Sequence, residues 1–559
     1  MKPSIHFQPK LFLSLKNYSK EKFISDLMAG VIVGIVALPL AIAFGIASGV
    51  SPEKGLITAI IAGFLISFFG GSSVQIGGPT GAFIVIVYGI VQKYGIEGLA
   101  IATILAGIIL VIMGVLKLGT IIKFIPYPIV VGFTSGIAIT IFTTQIKDLF
   151  GLTMDTVPAE FVTKWIAYGK VIATINPWAT VIGVLSILII IFTPRLVKKI
   201  PGSLVAIVFM TAIVYILKYH FNIEGIDTIG DRFQINASFP KPTFPGISME
   251  TINNLFPAAF TIAMLGAIES LLSATVADGV TGDKHDSNTE LIGQGIANIV
   301  TPFFGGIPAT GAIARTMTNI NNGGKTPISG IIHAVVLTLI FLFLIPLAKH
   351  IPMACLAGVL VIVSYNMSEW RTFRSLLKNP KSDIAVLLAT FFLTVLFDLT
   401  VAIEIGLLIA MLFLMKRVTE STRISIVTDT LDIASEADIP NDLEKLIIPE
   451  GVEIYEIEGP FFFGIASKFD ESMKQISQGN TKVRIIRMRK VPFMDSTGLH
   501  NLESLIRLSE KQNIQIVLSG VNDKIKIMME KTGFADKVGK DKICSHISIA
   551  LKKAEELVG

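Results

Sequence analysis

Long apolar stretches separated by short polar segments dominate this chain of 559 residues. The first, residues 27–50, has 24 residues without a charged side chain. A membrane-spanning helix needs about 20 apolar residues, whereas the apolar part of a signal peptide has about 7–15. We therefore predict that this stretch spans a membrane, and we expect no cleavable signal before it.

Thirteen further apolar stretches follow, so the pattern predicts about 14 membrane segments. Two of them, beginning near Pro79 and Pro308, are short and follow Gly-Gly pairs. An even number of segments places both termini on one side of the membrane. The further stretches are 54–70, 79–92, 96–116, 125–146, 178–193, 202–217, 255–277, 288–303, 308–320, 328–347, 351–366, 383–397 and 399–415.

Charged residues make up 16% of the chain, against about 25% in an average soluble protein. They are unevenly distributed, with 39 among the last 136 residues and 50 among the first 423. This excludes an ordinary soluble enzyme and predicts a membrane domain followed by a soluble domain. We place an N-terminal arm at 1–26, the transmembrane domain at 27–417, and a linker with the soluble domain at 418–559.

Positive charge predicts the orientation of the membrane domain. The N-terminal arm is basic, and the loops that alternate onto its side are also rich in Lys and Arg. Cytoplasmic loops of membrane proteins carry such an excess. We therefore expect both termini in the cytoplasm of a cell with the chain in its inner membrane, and we do not expect nucleic-acid binding. The residues that carry this bias include Lys10, Lys20, Lys117, Arg195, Arg371, Arg374, Lys416 and Arg417.

The two short segments resemble each other. Thr80-Gly81-Ala82 opens the first, and Thr310-Gly311-Ala312 opens the second, 230 residues later. They occupy matching positions in two halves of seven segments, and an odd number per half gives the halves inverted topology. Interrupted short segments at matched positions indicate the substrate site of a transporter. The hydroxyls of Thr80 and Thr310 could contact substrate or only cap a helix.

Glu269 is a carboxylate in a stretch, 260–274, that is otherwise free of charge. Such a group in a membrane costs several kcal/mol unless it is protonated, paired or hydrated. We interpret it as a proton or cation site, with Ser273 on the same helix face. The alternative is a structural carboxylate tied to a facing helix.

Arg315 lies in the second short segment, about one turn after Gly311-Ala312. A guanidinium close to a helix N-terminus combines two positive fields, and both favour a bound anion. The alternatives are a structural ion pair with Glu269 or an interfacial residue. A pair with Glu269 would let substrate and proton compete for one charge.

The soluble tail alternates strand-like and helix-like stretches, which favours a small α/β domain. Asp495-Ser496-Thr497-Gly498 opens a helix-like stretch. Ser496 could simply cap that helix, or it could be an exposed phosphorylation site. The two cysteines, Cys355 and Cys544, allow no disulfide framework or thiolate metal site, and we expect no cofactor.

On these residues the chain resembles the SulP family of sulfate-permease-like anion transporters, with a tail similar to a STAS domain. The strongest likeness is Glu290 to Asn298, which matches the family pattern Glu-Leu-x-(Gly/Ala)-x-Gly-x-x-Asn. Residues 37–44 and Gly78-Pro79-Thr80 also match, as do Gly459 to Gly464 and Asp495 to Gly498 in the tail.

The resemblance implies a 7+7 inverted repeat in which a core domain moves against a gate domain like an elevator. It places the anion between the half-helices of segments three and ten and assigns proton or sodium coupling to Glu269. Ser496 matches a serine that is phosphorylated in anti-sigma-factor antagonists. The anion site would be lined by Phe44, Thr80, Gly311, Ala312, Ala314 and Arg315.

The resemblance favours proton over sodium coupling. The sodium-coupled bicarbonate branch tends to have Asp at position 269, a hydroxyl at Ile313 and no arginine at 315. We therefore expect a proton-coupled anion symporter driven by a proton gradient, with a sodium-coupled bicarbonate symporter or an anion exchanger as alternatives. The sequence does not choose among sulfate, bicarbonate, dicarboxylates and halides.

Two other functions are weaker alternatives. A nucleobase permease would share the fold, but it lacks a STAS domain and does not need Arg315. A signalling scaffold would leave the burial of Glu269 and Arg315 without purpose. The expected partners are a small anion, membrane lipid, a second copy in a homodimer and a cytoplasmic regulator of the STAS domain. Transport by purified protein in liposomes separates these classes.

Overall fold

The structure is a computed structural model, and it describes the chain except for residues 1–6, 17, 121–125, 155–156, 197–200, 235–238, 247–248, 398, 428–429, 433–444, 466–480 and 559. The chain divides into two compact units, Met1–Ile409 and Ala410–Gly559. Each unit is described by itself below.

Helices build the first unit, and each of the predicted apolar segments falls on helical structure. The last helix, α17, continues into the second unit. The helices are α1 Lys10–Leu15, α2 Lys20–Ala47, α3 Pro52–Phe69, α4 Ile84–Val115, α5 Tyr127–Phe150, α6 Phe161–Val171, α7 Pro177–Leu196, α8 Gly202–Tyr219, α9 Ile229–Arg232, α10 Met249–Thr281, α11 Ser287–Val300, α12 Ile313–Asn321, α13 Ile328–Ala348, α14 Met353–Met367, α15 Trp370–Leu376, α16 Lys381–Leu396 and α17 Leu399–Ser421.

Helix α4 contains two of the predicted segments. Gly95 interrupts it with φ 70° and ψ −171°, a conformation that favours glycine, so the segments 79–92 and 96–116 are separate helices in the predicted places. Within the described ranges, nine helices are long and apolar enough to cross a membrane. The prediction of a helical polytopic membrane protein is confirmed.

The helices of the first unit form two groups. Helices α2, α3 and α4 pack against α10, α11 and α13, with the most extensive packing between α4 and α11 and between α2 and α13. Helices α5, α7 and α8 pack with α14 and α16. Each group draws on both halves of the chain, as expected for two intertwined repeats. We call the first group the core and the second the gate.

Two strands of two residues each join the halves inside the core. Strand β1 is Gly77–Gly78 and strand β2 is Thr310–Gly311. They pair antiparallel, with Gly77 opposite Gly311 and Gly78 opposite Thr310. We call the Gly-rich stretches that lead into the two short segments the first break, at Gly77–Gly78, and the second break, at Thr310–Gly311. The two breaks are therefore in direct contact.

The second unit is the predicted α/β domain. Its five-stranded sheet has the order β3-β6-β7-β8-β9, in which β3 is antiparallel to β6 and the other neighbours are parallel. Helices cover both faces. The strands are β3 Arg423–Val427, β4 Thr430–Asp432, β5 Lys445–Ile447, β6 Val452–Glu458, β7 Val483–Lys490, β8 Gln515–Ser519 and β9 Ile543–Cys544, and the helices are α18 Ser496–Lys511, α19 Asp523–Lys531, α20 Phe534–Val538 and α21 Ile547–Val558.

Alternation along the central strands explains this layered arrangement. Successive side chains of a strand point to opposite faces of its sheet. Tyr455 and Ile486 contribute to one buried cluster with Leu502 of α18, whereas Ile454 and Ile485 contribute to another with residues of α21. The sheet therefore has an apolar core on each side.

Candidate functional site

The candidate site lies at the paired breaks. Beside the β1–β2 pair, the amide of Ala312 donates a hydrogen bond to the carbonyl of Ile76 at 2.9 Å. The first break then leads through Pro79 and Thr80 into a short 3₁₀ turn, Gly81–Phe83, and α4. The second leads directly into α12. Two helices of the core thus begin beside one another.

Glycine is required at the centre of the first break. Gly78 has φ +146°, a backbone conformation that side chains rarely allow. A Cβ atom there would come within 2.4 Å of Nη1 of Arg315. The missing side chain makes room for the guanidinium of the second half.

Arg315 fastens the two breaks together. It is 3% exposed and donates hydrogen bonds from Nη1 to the carbonyl of Gly77, at 3.5 Å, and from Nη2 to the carbonyl of Pro79. Among the described residues it forms no ion pair with Glu269. The alternative of a structural pair with Glu269 is therefore wrong for this conformation, since the partners of Arg315 are backbone carbonyls.

Other polar groups from the second break and α12 hold the same stretch of the first half. Thr316 Oγ1 accepts a hydrogen bond from the amide of Ile76 at 3.0 Å, and Asn319 Nδ2 donates to the carbonyl of Val74 at 2.8 Å. Thr310 Oγ1 donates to the carbonyl of Gly266 on α10 at 2.8 Å. The side chains of α12 thus satisfy backbone groups that an irregular segment would otherwise leave unpaired.

Glu290 is a buried carboxylate whose hydrogen-bond partners the sequence does not reveal. Its Oε2 accepts the amides of Gly71 and Ser72 at 2.8 and 3.1 Å. Its Oε1 accepts hydrogen bonds from Gln75, Gln294 and Ser270 at 3.0, 2.9 and 3.2 Å. These five hydrogen bonds satisfy both oxygens of the buried carboxylate. The available sequence signal is that Glu290 is an acid in the first turn of a largely apolar helix.

The predicted coupling residues lie one turn apart on α10. The side chain of Glu269 is half-buried, and its carboxylate makes no hydrogen bond with another described residue. Ser273 is 1% exposed, and its Oγ donates to Thr316 Oγ1 at 3.3 Å. Glu369, in the gate between α14 and α15, is close enough to repel a charge on Glu269. No pattern in the sequence singles out Glu369.

The residues predicted to line the anion site differ in exposure. Phe44 on α2, Thr80, Gly311, Ala312 and Arg315 are buried, whereas Ala314 is exposed. The structure brings the members from the two breaks together.

The hydroxyls of the two break threonines behave differently. Thr80 Oγ1 is buried and has no hydrogen-bond partner among the described residues, and it makes no capping bond. Thr310 Oγ1 is bonded to a backbone carbonyl of α10. Only Thr80 therefore has a hydroxyl free for a ligand.

The capping interpretation of Ser496 is wrong. The N-cap of α18 is Asp495, whose Oδ1 accepts the amide of Gly498 at 2.7 Å and whose Oδ2 accepts the amide of Phe463 at 3.2 Å. Ser496 is the first helical residue, and its side chain is exposed. An exposed hydroxyl at a helix N-terminus leaves phosphorylation as a prediction that geometry permits.

This fold and site define a multi-pass membrane transporter with a C-terminal α/β domain. The model of the sulfate permease family matches residues 23–390, and that of the STAS domain matches residues 445–550. The chain belongs to the sulfate permease family.

Two relatives match over nearly the whole chain. "Putative sulfate transporter YvdB" of Bacillus subtilis (strain 168) is 42% identical over 95% of this chain and 98% of the relative. The bicarbonate transporter BicA of Picosynechococcus sp. (strain ATCC 27264 / PCC 7002 / PR-6) is 31% identical over 95% of this chain and 94% of the relative.

Two solved structures share the fold. Murine Solute Carrier 26 family member A9, an anion transporter in the inward-facing state, gives a TM-score of 0.87 at 19% identity over 98% of this chain and 94% of that chain. The transmembrane domain of a cyanobacterial bicarbonate transporter BicA gives 0.62 at 32% identity over 69% of this chain and 98% of that chain. The inverted-repeat membrane fold with a C-terminal STAS domain is confirmed.

Proposed function

We propose that this chain is a secondary active transporter of a small oxyanion, which binds between the N-termini of the two half-helices. Sulfate and bicarbonate are the first substrates to test, because relatives that match almost the whole chain are named as transporters of these anions. Dicarboxylates have the same charged group and come next.

The antiparallel pairing of the two breaks is the observation that carries this proposal. The first amides of a helix lack intrahelical partners, and the helix dipole adds partial positive charge at the same end. Pairing β1 with β2 brings two such ends together, one preceded by the unpartnered hydroxyl of Thr80. Arg315 adds a full positive charge within the same structure. An anion is the ligand that this combination favours.

Glu269 is the proposed proton site. A half-buried carboxylate without a hydrogen-bond partner in the described structure is free to exchange a proton as its surroundings change. The side chain of Ile313 has no oxygen that could bind a sodium ion, and the hydroxyl of Ser273 is already bonded to Thr316. These features favour proton symport over sodium symport or anion exchange.

The proposed movement is that of an elevator, in which the core carries both sites past the gate. The packing supports it, because core helices pack mainly with core helices and gate helices with gate helices. We also propose cytoplasmic termini, from the distribution of Lys and Arg, together with a homodimer in the inner membrane and a cytoplasmic partner for the STAS domain. Ser496, exposed on that domain, would be its regulatory residue.

Uptake of radiolabelled sulfate and bicarbonate into proteoliposomes tests this function, with a pH gradient, a sodium gradient or neither. The wild-type protein should accumulate one of these anions when a pH gradient is imposed. Glu269→Gln should abolish that accumulation and retain exchange of anion across the membrane, because a neutral amide cannot carry the proton. Glu250→Gln, at an exposed acid in the first turn of the same helix, is the matched control and should accumulate normally.

Two results would contradict the proposal. Uphill, pH-driven uptake by Glu269→Gln would remove the proton site from Glu269. Accumulation driven by sodium alone would favour the sodium symporter instead.

A further inference from the structure

Thr316 lies where the proposed proton site meets the paired breaks. Its Oγ1 accepts a hydrogen bond from the amide of Ile76 at 3.0 Å and another from Ser273 Oγ at 3.3 Å. Ser273 and Thr316 are each 1% exposed, and Ile76 is fully buried. Water therefore does not compete for these bonds, and each donor or acceptor depends on the others.

Ile76 connects this hydroxyl pair to the site itself. It directly precedes β1, and its carbonyl accepts the amide of Ala312 at 2.9 Å. Both polar groups of Ile76 are thus bonded to residues at the start of the second half-helix. A change in the bond at its amide acts on the segment that holds the two breaks together.

Glu269 lies one turn before Ser273 on α10. Residues four apart on a helix lie on one face, and side chains lean towards the helix N-terminus, so that Ser273 leans towards Glu269. A serine hydroxyl has one proton to donate and two lone pairs to accept. Ser273 can therefore donate to Thr316, as it does in this structure, or to a charged Glu269.

We propose that Thr316 is a positioning residue through which the proton on Glu269 controls the anion site. When Glu269 is charged, Ser273 donates to the carboxylate and Thr316 donates to Ser273. When Glu269 is protonated, the carboxylic acid donates to Ser273, and Ser273 donates to Thr316. The direction of the hydroxyl chain reverses. The one covalent change is the O–H bond of Glu269, which forms when the proton enters from water and breaks when the proton returns to it. This inference rests on the proposed function, since it takes Glu269 as the proton site.

Among the described residues, Glu369 at the start of α15 is the charged group that acts on Glu269. Two further charged groups lie on helices packed against α10. They are Arg315 on α12 and Glu290 on α11, which accepts a hydrogen bond from Ser270. Ser270 belongs to a separate set of bonds, because its hydroxyl contacts Gln75 and Glu290 rather than Thr316. The chain therefore offers two buried serines on α10. Ser273 belongs to the proposed hydroxyl chain from Glu269 to Thr316, which we call the relay, and Ser270 lies outside it.

The test measures two quantities in proteoliposomes for each variant, anion exchange at equal pH and accumulation driven by a pH gradient. Thr316→Val keeps the shape of the side chain and removes its hydroxyl. The ratio of accumulation to exchange should fall about tenfold, the factor that one lost hydrogen bond can produce. Thr316→Ser should restore the ratio, and Ser270→Ala should leave it at the wild-type value.

The outcomes separate a relay from a structural contact. Equal losses in Thr316→Val and Ser270→Ala, or a failure of Thr316→Ser to restore the ratio, would overturn the relay. If Thr316→Val does not fold, Ser273→Ala removes the other hydroxyl of the pair and should lower the ratio likewise, and an unchanged ratio there would overturn the relay as well. If the wild type accumulates anion normally and Thr316→Val has the wild-type ratio, the relay is wrong but the proposed function stands. If the wild type shows no pH-driven accumulation, the proposed function is wrong and the relay is wrong with it.

Discussion

The two breaks have similar backbones and very different side chains. The first, at Gly77–Gly78, leads into an apolar helix and offers its neighbours mainly backbone groups. The second, at Thr310–Gly311, leads into a short polar helix whose buried residues include Arg315, Thr316 and Asn319. Each of these side chains reaches across to a backbone group of the first half.

This difference shows how an inverted repeat can make a site that is not symmetric. The repeat supplies two helix N-termini at one place, which is a property of the backbone. The second half supplies the charge of Arg315 and the side chains that bind the backbone of the irregular first break. The anion site proposed here therefore depends on the backbone of one half and the side chains of the other.

Adding one methyl group to the first break should have the largest effect. Gly78→Ala places a Cβ within 2.4 Å of Arg315 Nη1 at a backbone angle of +146°. Strain of about 3 kcal/mol at the site would reduce anion exchange roughly a hundredfold. Exchange in proteoliposomes measures it. Gly89→Ala in α4, where a Cβ meets no atom within 4 Å, is the control and should exchange normally.

A buried cation without such partners sharpens the comparison. Lys164 on α6 is 1% exposed, and its ammonium has no ion pair or hydrogen bond to a described residue, whereas the guanidinium of Arg315 is bonded to carbonyls. Burial lowers the pKa of Lys164 to about 8. Replacing it by Met should therefore stabilise the protein at pH 7 by on the order of 3 kcal/mol.

The pH dependence of that gain follows from the direction of the shift. Below pH 8 the lysine is charged in the folded and the unfolded chain, so the full cost of burial is present. Between pH 8 and 10.5 the folded chain loses the proton first, so that wild type gains stability and the advantage of Lys164→Met shrinks. Thermal unfolding in detergent at pH 7 and pH 10 measures this. Lys170→Met, at an exposed lysine of the same helix, should show no such dependence.

Removing the soluble domain should have the smallest effect on the site. Every proposed anion and proton ligand lies in the first unit, whereas the STAS sheet and its two buried clusters lie in the second. Deleting 424–559 should lower the transport rate severalfold and leave the order of preference among anions unchanged. Altered selectivity, in protein that inserts and purifies as a single species, would place part of the site in the deleted region.

The lengths and spacing of the apolar stretches were enough to predict the membrane fold. Spanning helices must be long and apolar because the membrane offers their backbone no hydrogen bonds, and this requirement is visible in sequence. The apolar pattern also separates the neighbouring segments 79–92 and 96–116 at the right place, since Gly95 interrupts the helix between them. The boundaries at 26 and 417 stay predictions.

The contacts of the site could not be predicted in the same way. Arg315 binds backbone carbonyls, which every residue has, so no side chain in the sequence marks its partners. Glu290 likewise binds two backbone amides of a distant segment. At the start of α18, Asp495 and Ser496 can each cap a helix, and only the structure shows that Asp495 does so.

The affinity of Arg315→Ala for anion tests most directly whether the paired breaks form the anion site. Equilibrium binding of radiolabelled sulfate and bicarbonate to the purified protein should weaken about ten- to a hundredfold, since a charge-assisted contact contributes roughly 1.5–3 kcal/mol. Arg315→Lys should bind with intermediate affinity, because it keeps the charge but not the fork of donors. Unchanged affinity for every transported anion in folded Arg315→Ala would show that the arginine only fastens the backbone, and would contradict the site.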